Sequence, residues 1–370
     1  MEIFRPYKFD KTLFLATLTL IAFGVIMIFS ASAIRAVDKF NQPFYYYFNQ
    51  LIVAAFGLGL IFIMLSIKKP FYQNPAFIYG LLLLSFFLLA LCLIMPAIEN
   101  TNRWVQLLGL RFQPSELAKI SLVFFLAHYL NLKKEKLNSF LTLLFPLAVL
   151  LIFIFLIIKE PDFGTAILIF IIASVMFFIS GVKVRHLLIL GLTSACLFGF
   201  FLFQATYRLD RIMAFLSPEK YPLSKGFQII QSNLAIGSGG LLGVSIGEST
   251  QKLYYLPCAH TDYIFAIIGE ELGLVGTTVI LTLFLIFLLR GVAISWKAPN
   301  NFSQLIAAGL TMAVVSQALL NISIVLGLGP PSGFPLPLIS FGRSSLICTL
   351  FATGILLNIS QRRGNNRKKE

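Results

Sequence analysis

The sequence has little charge, and acidic residues are especially scarce. Only 12% of its 370 residues are Asp, Glu, Lys or Arg, about half of the roughly 25% found in soluble domains. Hydrophobic residues make up 58% of the chain, and its mean hydropathy is +0.88. This composition excludes an ordinary soluble domain and predicts a membrane protein.

Cysteine is scarce as well. Three of the four cysteines, Cys92, Cys196 and Cys348, lie in apolar runs, and Cys258 lies in a polar loop without an obvious partner. We therefore expect no disulfide and no metal cluster. The net charge of +14 is spread over short loops and not gathered on one domain, so we also expect no binding to nucleic acid.

Long apolar runs are abundant. A run of about 20 residues spans the hydrocarbon core as a helix. We therefore predict an all-α polytopic membrane protein in which residues 1–370 form one membrane domain, with a long outer loop at 204–262 between helices 7 and 8 and a basic tail at 361–370. The ten predicted transmembrane helices lie at residues 12–31, 45–66, 76–96, 115–131, 139–158, 164–181, 186–203, 263–289, 303–328 and 344–360.

Charge predicts the orientation of these helices. An even number of spans places both termini on one side, and the basic residues concentrate on that side. By the positive-inside rule both termini are then cytoplasmic, and the tail "QRRGNNRKKE" faces anionic lipid. Nearly all the unusual loop sequence falls on the opposite face, so we expect the functional site at the outer surface.

The segment "PSELAK" (114–119) places two charges inside the fourth span. Pro114 suits a helix start, and Ser115 can cap the helix. Glu116 and Lys119 are three residues apart, so they share a helix face and can pair. An ionisable residue inside a span faces a partner or a cavity. The pair is either a structural ion pair or part of a polar cavity that holds an anionic group.

Three further outer segments are candidates for a site. In "EPDFGT" (160–165), helix capping accounts for one acid, and the second leaves room for a site role or a cation. The turn at Ser238-Gly239-Gly240 is either a plain loop or an anion-binding nest. The Pro- and Gly-rich segment "GPPSGFPLPLISFGRSS" is either a linker or a wall of the site. The most basic outer patch consists of Arg208, Arg211, Lys220 and Lys225.

The segment "HTDYIFAIIGEEL" (260–272) carries three acids into an apolar run. On a straight helix Glu270 lies about 80° and Glu271 about 180° round from Asp262, so the three cannot form one cluster. We expect Glu270 and Glu271 to pair with polar groups of neighbouring helices. Asp262 lies at the outer end of the predicted helix that spans 263–289. There it is either a general base or the helix N-cap, a role that Thr261 could equally fill.

Taken together, the blocks "NRWVQLLGLRFQPSELAK", "EPDFGTA", "QSNLAIGSGGLLG", "QKLYYLPCAHTDYIFAIIGEELGLVG" and "PSGFPLPLISFGRSS" resemble those of the SEDS family of shape, elongation, division and sporulation proteins. The resemblance covers about residues 10–360. The wording around "YLPCAHTD" is more similar to the division branch and its sporulation relative than to the elongation branch.

The resemblance implies a ten-helix glycosyltransferase that polymerises lipid II into peptidoglycan outside the bacterial plasma membrane. It implies that Asp262, which matches the family's essential acid, is catalytic. The basic outer residues would stabilise the departing polyprenyl diphosphate. The expected substrate-binding residues are Glu116, Lys119, Arg208, Arg211, Lys220, Lys225, Gln231, Ser232, His260 and Ser344.

The family further implies a class B penicillin-binding transpeptidase as partner, together with division regulators. It fixes no cofactor, although a divalent cation such as Mg²⁺ or Mn²⁺ would suit the diphosphate. This chain departs from the family at Cys258, where relatives have Glu, and at Arg343, where relatives have Gly. The alternatives are a lipid II flippase, a polymerase that serves cell elongation, and a non-catalytic scaffold for division proteins.

Overall fold

The computed structural model describes residues 9–68, 70–96, 102–107, 110–203, 206–221 and 225–366. These residues form twelve α-helices and one short hairpin, which are joined by turns and loops. In chain order they are α1 (Lys11–Phe40), α2 (Tyr45–Ser66), α3 (Pro75–Ile94), β1 (Val105–Leu107), β2 (Leu110–Phe112), α4 (Pro114–Leu132), α5 (Phe140–Lys159), α6 (Phe163–Ile179), α7 (Val184–Phe203), α8 (Thr206–Leu216), α9 (Lys225–Gly239), α10 (Ile264–Trp296), α11 (Asn301–Val325) and α12 (Arg343–Asn366).

Each of the ten predicted spans corresponds to one helix, so the all-α polytopic membrane fold is confirmed. Within the described ranges, seven helices are long and apolar enough to cross a membrane: α1, α2, α3, α5, α10, α11 and α12. Helix α6 and the described part of α7 are shorter apolar helices. Helix α4 does not reach that apolarity, and it carries Glu116, Lys119 and His128. Its residues are nevertheless mostly buried by neighbouring helices.

Helix α11 lies at the centre of the bundle. It packs against α4, α6, α10 and α12, and 83% of its most apolar stretch is buried, compared with 22% for α3 at the periphery. Helix α10 packs against α1, α9 and α11. Polar side chains on α11 are therefore placed to contact several elements at once.

The long loop is partly helical. It contains α8 and α9, and then a chain of turns that leads to Asp262. Arg208 and Arg211 both lie on α8, as a helical reading of that segment predicts. The second outer loop contains the antiparallel hairpin of β1 and β2, in which Val105 pairs with Phe112. The sequence patterns did not predict this hairpin, which is too short to show alternation.

Helix α10 is not straight. It is interrupted at Gly273, whose φ of 64° and ψ of −158° are not helical. The loop after α9 enters this break: Leu274 and Val275 donate from their backbone N–H groups to the carbonyls of Gly240 and Leu241, at 2.9 and 3.2 Å. A Cβ on Gly273 would lie 2.4 Å from the backbone nitrogen of Gly243. Glycine is therefore required for the close approach of the two chains.

One local prediction is wrong. Helix α4 has Gln113 as its N-cap residue and Pro114 in its first turn, so Ser115 does not cap it. For the turn at Ser238-Gly239-Gly240, the structure favours the alternative without an anion nest. The turn packs against the backbone of α10, where a Cβ on Gly239 would lie 1.9 Å from the carbonyl oxygen of Gly269. Close packing explains this glycine better than ligand binding.

Candidate active site

Asp262 lies in the turn just before α10. The helix begins at Ile264 with Tyr263 as its N-cap residue, and no side chain provides the cap bond. The Thr261 hydroxyl donates instead to the carbonyl of Cys258 at 3.2 Å. The alternative role for Asp262 or Thr261 as a helix cap is therefore wrong.

A small cleft of about 80 Å³ opens beside the Asp262 carboxylate. Asp262 and Arg211, two of the predicted site residues, both line the cleft. The Pro- and Gly-rich segment between α11 and α12 lines it as well, which agrees with its interpretation as a wall and not with that as a linker. The full lining is Arg211, Gln228, Cys258, Asp262, Tyr263, Asn321, Ile324, Pro331, Gly333 and Phe334. The cleft thus joins α8, α9, the turn before α10, and α11.

Helix α11 holds the two backbone walls of the cleft together. Asn321 donates from Nδ2 to the carbonyl of Asp262 at 2.8 Å and to the carbonyl of Phe334 at 2.9 Å. One turn away, Gln317 donates from Nε2 to the carbonyl of Pro335 at 3.0 Å. The sequence interpretation missed both amides. The sequence does contain a signal for them. Two amide side chains four residues apart share a helix face in an otherwise apolar span, which indicates polar partners inside the bundle.

Glu116 and Lys119 form the ion pair that their spacing predicts. Their Nζ and Oε1 atoms are 2.9 Å apart, and both side chains are buried. Lys119 also donates to Gln317 Oε1 at 2.5 Å. The pair does not line the cleft, but Gln317 connects it to the Pro335 wall. Its contact with substrate stays a prediction.

Five other predicted substrate-binding residues, His260, Ser232, Ser344, Gln231 and Lys220, are not among the residues that line the cleft. His260 packs on the ring of Tyr46, with ring centroids 4.8 Å apart. Ser232 is buried and donates to the carbonyl of Val325 at 2.6 Å. Ser344 accepts from the backbone N–H of Gln113 at 3.0 Å. Gln231 is half-buried on α9, and Lys220 is exposed after α8; for Arg208 and Lys225 only the backbone is described.

The "EPDFGT" acids have separate environments. Asp162 caps α6, where its carboxylate accepts from Thr165 N at 3.2 Å and from Gln113 Nε2 at 3.2 Å. The Glu160 side chain is fully buried, and among the described residues neither of its carboxyl oxygens has a hydrogen-bond partner. Burial, reinforced by the charge of Asp162, raises the pKa of Glu160 to about 9. Glu160 is therefore protonated at neutral pH, while Asp162 has the capping role.

The donor set does not form a protein-built cation site. A divalent cation takes several oxygen ligands, carboxylates foremost. Among the described residues that line the cleft, Asp262 is the only one with an acidic side chain. In the described parts of the chain, no group of three or more His, Cys, Asp or Glu residues is placed to hold a metal ion. We therefore assign no step of the chemistry to a metal.

Comparisons with known proteins agree with this architecture. The family model described as "Cell cycle protein", FtsW/RodA/SpoVE, matches residues 11–365. The chain belongs to this family.

Individual relatives cover nearly the whole chain. The "Probable peptidoglycan glycosyltransferase FtsW" of Geobacter sulfurreducens is 41% identical over 96% of this chain and 96% of the relative. "Stage V sporulation protein E" of Bacillus subtilis is 39% identical over 95% of this chain and 97% of the relative. A solved structure described as "Structural coordination of polymerization and crosslinking by a peptidoglycan synthase complex" matches with a TM-score of 0.79. It is 29% identical and covers 96% of this chain and 98% of that chain.

The two departures from the SEDS pattern lie in different places. Cys258 lines the cleft with an exposed side chain and a φ of 58°. Arg343 begins α12 and donates from Nη2 to Asn49 Oδ1 on α2 at 3.1 Å, outside the cleft lining. The first departure changes the surface next to Asp262. The second adds a contact between two helices of this family member.

Glu270 and Glu271 hold the loop that leads to Asp262. Glu271 is fully buried and accepts from Ser30 of α1 at 2.6 Å and from Lys252 Nζ at 2.9 Å. Glu270 accepts from the Ser249 hydroxyl at 2.5 Å and from the backbone N–H of Thr250 at 2.9 Å. The expectation that both glutamates pair with polar groups of neighbouring helices is confirmed only for Glu271, through Ser30 of α1. The other partners of both glutamates belong to the loop.

Proposed function

We propose that this chain polymerises lipid II into glycan strands at the outer face of the bacterial plasma membrane, and that Asp262 is its general base. One observation carries the proposal. Asp262 is the carboxylate of a cleft that also holds the guanidinium of Arg211, and its backbone carbonyl is fixed by Asn321. A base and a cation side by side match a reaction that removes a proton and releases an anion.

The reaction needs one proton acceptor. The 4-hydroxyl of the acceptor N-acetylglucosamine attacks the anomeric carbon of the donor, and its proton passes to the Asp262 carboxylate. The bond between that carbon and the diphosphate oxygen breaks, and its electron pair stays on the diphosphate. A diphosphate leaves without an acid, whereas glycoside hydrolases need two carboxylates. A single well-placed carboxylate is therefore sufficient.

The membrane setting explains the position of the cleft. Both substrates carry polyprenyl tails that stay in the bilayer, so a site at the N-terminal end of α10 can bind them directly from the membrane. The basic residues at the termini and in the loops on the same side support cytoplasmic termini. With that orientation, the N-terminal end of α10 lies on the outer side of the membrane. The basic tail then lies on the cytoplasmic leaflet.

The partner is a class B penicillin-binding transpeptidase that crosslinks the new strands. The solved complex described above, named for coordinating polymerization with crosslinking, supports this assignment. The FtsW names of the relatives support a role in division over one in elongation. Division regulators would then control the pair.

Polymerisation of purified lipid II, with the cognate transpeptidase present, tests the proposal. Replacing a general base costs about 10²- to 10⁴-fold in rate, so we expect Asp262→Asn to lose at least about a hundredfold. Asp38→Asn removes an exposed acid at the end of α1 and should polymerise like the wild type. A folded Asp262→Asn protein that polymerises at the wild-type rate would refute the assignment of the base.

A flippase is the second candidate, and the break of α10 at Gly273 is the observation that favours it. However, the loop at 240–245 fills that break and supplies its hydrogen bonds, so the break is packed against protein. Reconstituted protein that moves labelled lipid II between leaflets but forms no polymer would favour the flippase.

A further inference from the structure

Arg103, which precedes the β1–β2 hairpin, approaches Gly333, a residue of the cleft lining that also lies close to Asp262. Its Nε donates to the carbonyl of Glu160 at 3.3 Å, and its Nη2 donates to the carbonyl of Pro161. These two bonds fix the plane and direction of the guanidinium, although the side chain that carries it has several rotatable bonds. The remaining nitrogen, Nη1, points toward Gly333.

Gly333 separates Arg103 from Asp262. A Cβ built on Gly333 would lie 3.6 Å from Asp262 Oδ2 and 3.8 Å from Arg103 Nη1. Both groups therefore face the same small space above the glycine α-carbon. The residue has a φ of 78°, a conformation that favours glycine. The segment that carries it thus leaves room for a ligand atom between a carboxylate and a guanidinium.

Arg211 approaches the same segment from α8. Its Nη1 donates to the carbonyl of Pro331 at 3.2 Å, two residues before Gly333, and the side chain lines the cleft together with Asp262. Both guanidinium groups are therefore tied to backbone carbonyls, and both approach the segment at residues 331–333. The carbonyl acceptors of Arg103 are neutral, so they orient its charge without cancelling it.

No acid forms an ion pair with Arg103 among the described residues. Glu160, whose carbonyl accepts from Arg103, is buried, and with a pKa of about 9 it is uncharged at neutral pH. The Asp162 carboxylate is engaged by Thr165 and Gln113 at the start of α6. Arg103 is therefore oriented by backbone carbonyls and not by an ion pair.

We propose that Arg103 and Arg211 form a diphosphate-binding cradle that holds the lipid-linked donor beside Asp262. The planar fork of arginine binds phosphate oxygens bidentately and stabilises the charge that develops when the bond from sugar to diphosphate breaks. The electron pair of that bond moves to the oxygen between the two guanidinium groups, while the acceptor proton moves to Asp262. The inference rests on the proposed function, and it names Arg103 as the second cation of that site.

Direct binding of a fluorescent polyprenyl diphosphate to the full-length protein with its transpeptidase tests the cradle independently of turnover. A matching polyprenyl monophosphate is the second probe. We expect Arg103→Gln to weaken diphosphate binding at least about tenfold, since a hydrogen bond to a charged group contributes about 1.5–3 kcal/mol. Binding of the monophosphate should change less, so the preference for diphosphate should shrink.

Two further variants control for folding and for bulk charge. Gly333→Ala keeps both arginines but puts a methyl group between Arg103 and Asp262, and it should show the same loss of preference. Lys39→Gln removes an exposed cation at the outer end of α1, outside the cleft lining, and should bind both probes like the wild type. If folded Arg103→Gln and Gly333→Ala both keep the wild-type preference for diphosphate, the cradle is wrong.

The test separates this inference from the proposed function. An Asp262→Asn protein that binds the diphosphate normally but does not polymerise supports both. Wild-type polymerisation by Asp262→Asn, combined with impaired binding by Arg103→Gln, would remove the base and keep the cradle. Normal diphosphate binding by Arg103→Gln, with Asp262→Asn inactive, would remove the cradle and keep the base.

Discussion

The carboxylates of residues 260–272 occupy two different environments. Asp262 lies in a turn, half-buried beside a cleft with Arg211. Glu270 and Glu271, eight and nine residues further on, are at most 1% exposed and are fully engaged by the loop that precedes Asp262. The same residue class therefore serves two purposes. One carboxylate lines the cleft, and the other two hold the loop that leads to it.

The buried ion pair provides the most severe test of this contrast. Glu271→Gln leaves the Lys252 ammonium buried without a counter-charge, which typically costs about 3–5 kcal/mol. We expect a large fall in the thermal stability of the purified protein. Since Lys252 belongs to the loop before Asp262, that loop should also open more often.

Trypsin reports this opening, because Lys252 is buried in the folded protein and becomes a cleavage site when the loop opens. Trypsin should cleave after Lys252 faster in Glu271→Gln than in the parent. A double variant, Lys252→Met with Glu271→Met, removes both charges and should recover most of the stability. A stable, slowly cleaved but inactive Glu271→Gln protein would place Glu271 in the chemistry and break the contrast.

Asn321 allows a finer test on the side of Asp262. Asn321→Ala removes the donor to the carbonyls of Asp262 and Phe334, so the base and the cleft wall lose their common support. A misplacement of about 1 Å can cost a hundredfold in rate. We expect kcat for lipid II polymerisation to fall about 10- to 100-fold, with a smaller change in KM.

Ser323→Ala is the matched control on α11, because its hydroxyl only donates back to Leu319 on an exposed face. It should leave both constants near the wild-type values. A rise in KM without a fall in kcat for Asn321→Ala would mean that Asn321 contacts substrate and does not position the base.

The sequence predicts the helices well because each span is a continuous apolar run, and it predicts the pair of Glu116 and Lys119 because their spacing is local. It does not predict the break at Gly273, which depends on a loop more than 30 residues earlier in the chain entering α10. Arg103 and Asp262 both approach Gly333 only through the packing of three separate outer segments. Long-range contacts of this kind leave no periodic signal in one sequence.

Glu160 represents a third environment, buried and without a hydrogen-bond partner among the described residues, and it gives the smallest expected effect. Its raised pKa of about 9 means that the folded protein keeps a proton there that the unfolded chain releases near its ordinary value of 4.5. Between these values the folded state binds more protons, so stability falls as pH rises through that window.

Glu160→Gln cannot ionise, so its stability should fall less with rising pH. Thermal unfolding from pH 5 to 9 measures the difference, with the exposed Glu219→Gln as control. Parallel pH profiles for Glu160→Gln and the wild type would show that Glu160 is ionised in the folded protein and would place it with Glu270 and Glu271.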